Sequence, residues 1–206
     1  NGRQKSLDIC PHAPMNSSAA SDSVEQLTAS WFPMGLVAMG QTLTTLNISA
    51  LPVLIGAMVD EFSIAPTTVA SAIVVYSIAV SGFIMLGAKL GQKYGSTTIF
   101  RCATVLLLLA AATTASSNSF RWLLVAQGLS GLGAALLLPS LVVLITDNYS
   151  GHQQAKAIAL LGGVQAAATV ATILIAGLVG THLGWRYSFG LIVAFAALTW
   201  LLSYRL

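Results

Sequence analysis

The chain has 206 residues, of which 56% are hydrophobic and 7% charged, and its mean hydropathy is +0.82. Soluble domains carry charge on about a quarter of their residues, so this composition excludes a soluble domain and indicates an integral membrane protein. The net charge of +3 gives no indication of nucleic-acid binding, because the basic residues are dispersed among loops.

Residues 1–30 are polar and rich in small side chains, which is typical of a disordered cytoplasmic leader. The chain does not begin with methionine, and Met15 opens a segment that looks like a natural start. We therefore expect residues 1–14 to be foreign to the natural protein. Residues 31–206 are predicted to form one membrane domain.

Six apolar segments follow the leader. About 20 helical residues cross the roughly 30 Å hydrocarbon core of a bilayer, and the six segments have about this length. They show no alternation of period two and are too long for barrel strands. The predicted fold is an all-α, integral membrane six-helix bundle, with spans at 33–57, 67–87, 100–118, 121–146, 156–181 and 187–204.

The basic residues favour one set of loops. Lysine and arginine concentrate on the cytoplasmic side of membrane proteins. With the N-terminus inside, seven basic residues lie on the cytoplasmic side and two, Arg121 and Arg186, lie outside. We therefore expect both termini to be cytoplasmic and the protein to lie in a bacterial inner membrane. The seven are Arg3, Lys5, Lys89, Lys93, Arg101, Lys156 and Arg205.

The short basic segment between the second and third spans resembles a known sequence pattern. Major facilitator superfamily transporters carry Gly-x-Leu-Gly-Asp-Arg-x-Gly-Arg-Arg between their second and third helices. Gln92 stands where this pattern has its acid. The positions that match are Ala88, Leu90, Gly91, Lys93 and Gly95. The resemblance implies a cytoplasmic gating loop formed by Gly87, Gly91, Gln92, Lys93 and Gly95.

Polar residues crowd the first span ahead of Pro52. Ala50, Leu51 and Pro52 resemble the end of the first helix in the 14-helix drug-exporter branch of that family. Two interpretations of the polar residues stay open: they hydrogen-bond a neighbouring helix, or they line a water-filled cavity and contact a solute. The residues concerned are Gln41, Thr42, Thr44, Thr45, Asn47 and Ser49.

The fourth span resembles the fourth helix of the same branch. Gln127 replaces an arginine that the family uses in proton coupling, and glutamine cannot hold a charge. We interpret Gly131 and Gly133 as helix-packing positions. The other matching positions are Ala134, Ala135 and Pro139.

The fifth span carries small residues every four positions, which we interpret as helix-packing positions because such a face lets another helix approach closely. We expect this face to lie at the interface with a second bundle. Thr172 and Ile173 stand where antiporters of the family have a Gly-Pro pair, so that signature is absent. The Trp185-Arg186 pair after it is interpreted as an anchor at the membrane surface. The small residues are Ala168, Thr172, Ala176 and Gly180.

The sequence offers no catalytic set, phosphate loop or metal-ligand spacing, so we predict no enzyme activity, cofactor or metal. It places no ionisable residue deep within a span, so a proton relay is not expected. The resemblance implies one half of a transporter that moves a small neutral or amphipathic solute by alternating access. The cavity candidates are Gln41, Thr44, Asn47, Tyr76, Gln127, Gln165 and Thr169.

A six-helix half is expected to pair with a second six-helix bundle, which is a C-terminal half, a second copy of the chain or another membrane subunit. Its other partner is the lipid bilayer, and no nucleic acid is expected. The alternative function is a structural subunit of a membrane complex that transports nothing.

Overall fold

The computed structural model describes residues 32–204, and the leader predicted over 1–30 lies outside this range. Between residues 32 and 204 the chain is helical, with no strand. Each helix is long and apolar enough to cross a membrane, so the predicted all-α six-helix membrane fold is confirmed. The helices are α1 (Phe32–Phe62), α2 (Pro66–Tyr94), α3 (Ser96–Ala115), α4 (Phe120–Asn148), α5 (Gly151–His182) and α6 (Trp185–Ser203).

The connection between α2 and α3 is a single residue, Gly95, with φ +87°. Only glycine adopts this backbone conformation without strain. The predicted loop over residues 87–95 is therefore wrong, because α2 continues to Tyr94. Gly87 and Gly91 are buried in its last turns while Gln92 and Lys93 are exposed, so this end of α2 can stay helical with its polar side in water.

The centre of the bundle is α1, which contacts each of the other five helices. The most extensive pairings are α2 with α4, α3 with α4, α1 with α5 and α3 with α6. The core between them is filled by large apolar side chains that are fully buried, among them Phe100, Leu107, Leu141 and Phe189. The helices α2 and α5 contribute the fewest buried residues.

Glycines permit the closest approach between α2 and α4. A Cβ atom on Gly87 would lie 2.2 Å from the carbonyl oxygen of Ala135, and one on Gly131 would lie 2.6 Å from that of Tyr76. Either distance is shorter than any real Cβ contact. The two helix backbones therefore touch directly, as is usual where small residues line a membrane helix interface.

The first helix continues past Pro52 to Phe62. Asp60 and Glu61 lie between the first two predicted spans, 33–57 and 67–87, but the structure places them in the last turn of α1. The helix persists there because a proline removes a single intrahelical hydrogen bond and the packing of the surrounding helices can hold the rest. This extension brings two carboxylates to the end of α1, next to the end of α5 and the start of α6.

Candidate functional site

The polar residues of α1 lie inside the bundle. Gln41 and Thr44 are each 4% exposed and Asn47 is 3% exposed. The Thr44 hydroxyl donates to the Gln41 carbonyl at 2.8 Å. Ser130 of α4 donates to Asn47 Oδ1 at 3.4 Å, and Asn47 Nδ2 donates to the Leu43 carbonyl at 3.1 Å. Two interpretations were left open for Asn47. The structure shows the hydrogen bond to a neighbouring helix, because Asn47 accepts from Ser130 of α4.

Two further cavity candidates are also inside. Gln127 is 2% exposed on α4, and its Nε2 atom has no hydrogen-bond partner among residues 32–204. Tyr76 is 6% exposed, with its backbone against Gly131. Gln165 and Thr169 lie instead on the outward side of α5, where the Thr169 hydroxyl donates to the Gln165 carbonyl at 2.9 Å. The structure does not bring the seven candidates together.

The small-residue face of α5 packs within this bundle. Ala168, Thr172 and Ala176 are buried, and α5 packs mainly on α1. A Cβ atom on Gly180 would lie 2.4 Å from Cδ2 of Leu54 on α1. The expectation that this face meets a second bundle is therefore wrong, because α1 already occupies the space that the small side chains leave. Gly133, on α4, packs in the same way against Leu107 of α3.

One face of α1 stays open although this helix is central. Ile48, Pro52, Gly56 and Asp60 are exposed and lie four residues apart, so they form one stripe along the helix. The part of the stripe that contains Gly56 and Asp60 borders, together with α5, a cleft of about 490 Å³. The cleft is lined by Val53, Leu54, Gly56, Ala57, Asp60, Gly177, Gly180 and Thr181. We call it the Asp60 cleft.

The sequence analysis missed the Asp60 cleft, although a signal for it exists. The four-residue spacing from Ile48 to Asp60 marks one helix face, and Gly177 and Thr181 repeat that spacing on α5. The cavity candidates predicted on α1 were its polar residues, which lie on another face. Within the span, however, a polar side chain needs a hydrogen-bond partner, so the polar face of α1 is turned inward and the face with Ile48, Pro52 and Gly56 is left open.

A second open face lies on α2. Ile73, Val74, Ile78 and Gly82 border a groove of about 550 Å³ together with Ser77 and Ser81. Both serine hydroxyls are satisfied within the helix, since Ser77 donates to the Ile73 carbonyl at 2.9 Å and Ser81 to the Ser77 carbonyl at 2.8 Å. The groove therefore presents an apolar surface.

A cluster of charged and aromatic side chains joins α1, the connection between α3 and α4, and the start of α6 at the end of the bundle that holds Asp60. Arg186 forms an ion pair with Glu61, and its Nη2 atom donates to the Ser117 carbonyl at 2.8 Å. Trp185 is 3% exposed and its indole N–H donates to Glu61. The interpretation of Trp185 and Arg186 as an anchor at the membrane surface stays a prediction. Both side chains donate to Glu61, which the sequence analysis did not connect with them.

The opposite end of the bundle is joined by contacts of three helices. The Ser96 hydroxyl donates to Asp147 Oδ2 at 3.2 Å. Arg101 donates to the Ser203 carbonyl from Nε at 3.2 Å and Nη2 at 2.8 Å. Tyr149 is buried just beyond α4, and this burial raises the pKa of its phenol, with a hydrogen bond to the Met34 backbone acting in the opposite direction.

Comparison with known families decides what this architecture is. The family described as Major Facilitator Superfamily matches residues 37–206. The chain belongs to this superfamily. Its fold is also similar to that of the peptide transporter POT, solved in complex with sulfate, with a TM-score of 0.74 and 15% identity over 84% of this chain and 37% of that one.

Curated superfamily members are distant relatives of the chain. It is 21% identical over 155 residues to the riboflavin transporter RibZ of Clostridioides difficile (strain 630), covering 75% of this chain and 34% of the relative. It is 24% identical over 189 residues to the methylenomycin A resistance protein of Bacillus subtilis (strain 168), covering 90% and 41%. The chain thus spans about a third to two fifths of the length of these relatives.

The superfamily to which the chain belongs also contains a resistance protein and a multidrug transporter that are similar to it. A shared fold does not carry a shared substrate, because function lies in the side chains of the site. The open stripe of α1 and the Asp60 cleft are therefore the features from which function must be argued.

Proposed function

We propose that the chain forms one six-helix half of a transporter, which moves a small neutral or amphipathic organic solute by alternating access. The observation that carries this proposal is the open stripe of Ile48, Pro52, Gly56 and Asp60 on α1. A helix in contact with every other helix of its bundle, yet open along one side, is where a pathway between two bundles would run.

The second bundle would pack on α2 and α5. In an apolar stretch of 18 residues on each helix, only 17% of α2 and 11% of α5 is buried, against 56% of α4. The groove on α2 offers an apolar surface for such contact, and a rocking movement of one bundle against another needs surfaces of this kind. The relatives' greater length is consistent with a second bundle on the same chain.

The solute contacts are assigned by position. Gln165 and Thr169 lie on the outward side of α5, so among the seven cavity candidates these two would meet the solute. The five that lie inside the bundle would hold its helices in register. The buried polar side chains of residues 32–204 are all uncharged, which favours transport without a proton relay in this half.

Lys89, Lys93 and Arg101 lie at one end of the bundle, and Arg121 and Arg186 at the other. The excess of basic residues supports a cytoplasmic position for the α2–α3 connection. The Asp60 cleft would then open on the outer side of the membrane, which in a bacterium is the periplasmic side of the inner membrane.

Flux into proteoliposomes tests the proposal, with the full chain and any subunit that purifies with it. Riboflavin, methylenomycin A and puromycin are suitable first solutes, because relatives are named for them. We expect saturable flux that Gly56→Leu reduces and Gly190→Leu does not, since both glycines are exposed but only Gly56 lies on the stripe. Absence of flux together with a stoichiometric partner would favour the structural subunit instead.

Cysteine crosslinking tests the interface. In a Cys10→Ser, Cys102→Ser background, Ser77→Cys should crosslink to a second bundle, whereas Leu109→Cys on α3 should not. A crosslink between two copies of the chain identifies a homodimer, and a crosslink to another polypeptide identifies a different subunit. Equal crosslinking at both positions contradicts the assignment of α2.

A further inference from the structure

We propose that Arg101, Trp200 and Tyr204 form a binding site for the phosphodiester headgroup of an anionic phospholipid. The three side chains lie together where α3 begins and α6 ends, and we call them the Arg101 site. The inference goes beyond the proposed function, because it holds for a transporter and for a structural subunit alike. Its basis is the depth of the guanidinium group in the bilayer, its unused hydrogen-bonding capacity and the apolar surface beside it.

The lengths of α3 and α6 place the Arg101 site at the edge of the hydrocarbon core. The helices have 20 and 19 residues, so at about 1.5 Å per residue each is about 30 Å long, which is roughly the thickness of that core. Arg101 lies more than one turn inside α3, but its guanidinium group reaches Ser203, the last residue of α6. The charge is therefore at the level of the phosphodiester groups and not of the acyl chains.

The protein uses only part of the hydrogen-bonding capacity of Arg101. Its Nε and Nη2 atoms donate to the Ser203 carbonyl at 3.2 Å and 2.8 Å. Its Nη1 atom donates to no residue between 32 and 204, and no carboxylate in that range pairs with the guanidinium group. The planar guanidinium group matches the oxygen atoms of a phosphate in geometry and charge, so a phosphodiester suits the remaining N–H groups.

Two aromatic side chains hold the guanidinium group and add a donor. Cζ of Arg101 lies 4.9 Å from the centre of the Tyr204 ring, and that ring meets Trp200 edge to face with 5.2 Å between the centroids. Tyr204 is exposed, and its hydroxyl makes no hydrogen bond within the described range. Tyrosine and tryptophan concentrate at headgroup level because their rings are partly apolar and partly polar. The Tyr204 hydroxyl can therefore donate to the same phosphodiester.

The local charge favours an anion. Between residues 32 and 204, the acid at this end of the bundle is Asp147, which accepts a hydrogen bond from Ser96. Ser96 and Arg101 are five residues apart and project about 140° apart around α3, so Asp147 lies on another side of the helix. The partial positive charge at the start of α3 and the partial negative charge at the end of α6 are similar in size and oppose each other. The guanidinium charge is what remains.

The surface beside the site suits acyl chains. Cys102 and Leu109 are exposed on α3, as are Leu198 and Leu201 on α6. The second bundle of the proposed function is assigned to α2 and α5, so it does not compete for this surface. A lipid whose headgroup is held by Arg101 can lay its chains against these side chains, whereas a free phosphate ion would gain nothing from them.

Native mass spectrometry of the full chain in mild detergent tests the site, with dioleoylphosphatidylglycerol and dioleoylphosphatidylcholine titrated separately. The two lipids have the same acyl chains and differ in net charge. We expect phosphatidylglycerol to bind more tightly, and Arg101→Gln to raise its dissociation constant roughly five- to tenfold, which corresponds to about 1–1.4 kcal/mol. Lys93→Gln removes one exposed positive charge at the same end of the bundle and should bind both lipids like the unmodified protein.

Arg101→Gln also removes the contact with Ser203, so two milder variants accompany it. Tyr204→Phe keeps the ring and removes the hydroxyl donor, and should raise the dissociation constant for phosphatidylglycerol about two- to fivefold. Arg101→Lys keeps the charge without the guanidinium fork and should lie between Arg101→Gln and the unmodified protein. The melting temperature shows whether each variant is folded, and Tyr204→Phe decides the matter if Arg101→Gln is not.

Fluorescence quenching locates the bound lipid. In Cys10→Ser the remaining thiol is Cys102, which is exposed and follows Arg101 in sequence. It carries a nitrobenzoxadiazole fluorophore, and the protein is placed in phosphatidylcholine nanodiscs. Phosphatidylglycerol with a doxyl group near its headgroup should quench the fluorophore more than the same amount of doxyl-labelled phosphatidylcholine. Arg101→Gln should abolish this difference.

Three results would overturn the inference. The first is equal binding of the two lipids by the unmodified protein. The second is an equal loss of phosphatidylglycerol binding in Arg101→Gln and Lys93→Gln, because binding would then follow net charge and not a site. The third is quenching at Cys102 without preference for phosphatidylglycerol, which would place the lipid elsewhere. None of these measurements depends on flux, so the transport proposal can fail while the lipid site stands.

Discussion

The contact of Gly87 with Ala135 leads to a quantitative prediction about the α2–α4 pair. In Gly87→Ala, the new Cβ atom would lie 2.2 Å from a backbone oxygen, 1.2 Å short of the 3.4 Å at which ordinary contact begins. A backbone oxygen cannot rotate aside as a side chain can, so the helices must separate. Overpacking of this kind costs about 1–3 kcal/mol.

Gly91→Ala is the matched control. Gly91 is buried on the same helix, one turn later, and a Cβ atom there would meet nothing within 4 Å. Both variants gain the roughly 1 kcal/mol by which alanine exceeds glycine in a helix interior. The difference in free energy of unfolding between the two variants therefore isolates the collision at Gly87.

Thermal unfolding in a mild detergent, followed by near-ultraviolet circular dichroism, measures this difference. For a chain of this size, about 1–3 kcal/mol corresponds to a melting temperature roughly 2–12 °C lower for Gly87→Ala than for Gly91→Ala. Equal melting temperatures would show that the two helices are not in backbone contact. The packing derived for α2 and α4 would then be refuted.

Three further predictions concern the two ends and the interior of the bundle. Arg186→Met should destabilise the protein by about 1–2 kcal/mol in thermal unfolding, because the hydrogen bond to the Ser117 carbonyl is lost. The partly exposed ion pair with Glu61 should contribute little to this loss. Arg121→Met, at an exposed position near the same end, is the control and should leave the free energy of unfolding nearly unchanged. Gln127→Met should leave the melting temperature equal or raise it by up to a few degrees, because it removes a buried amide nitrogen that has no partner among residues 32–204. A clear fall in melting temperature would show that the amide has a hydrogen-bond partner. Since the pKa of Tyr149 is raised in the folded state, its contribution to stability is present below pH 10 and is lost as pH rises through the folded pKa; Tyr149→Phe should therefore flatten the alkaline fall in melting temperature, and an unchanged pH profile would contradict this.

The number and type of the spanning elements could be read from the sequence. A segment of 20 or more apolar residues has one stable form in a bilayer, because only a helix satisfies all of its backbone hydrogen bonds within itself. The segment containing Pro52 and the one containing Pro139 were therefore recognisable as spans despite their prolines. The segment with Leu90, Gly91, Lys93 and Gly95 likewise resembles the loop pattern of the superfamily to which the chain belongs.

The direction in which each helix face points was decided by the tertiary structure. Asn47 and Ile48 are neighbours in sequence, yet one is buried against α4 and the other is open. Lipid and the bundle interior are both apolar, so helices that are apolar on all sides carry little periodicity from which to read the buried face. The hydrogen bonds available to Asn47 and the backbone contact at Gly87 fixed the rotation of α1 and α2, and that rotation left Gly56 and Asp60 facing open space.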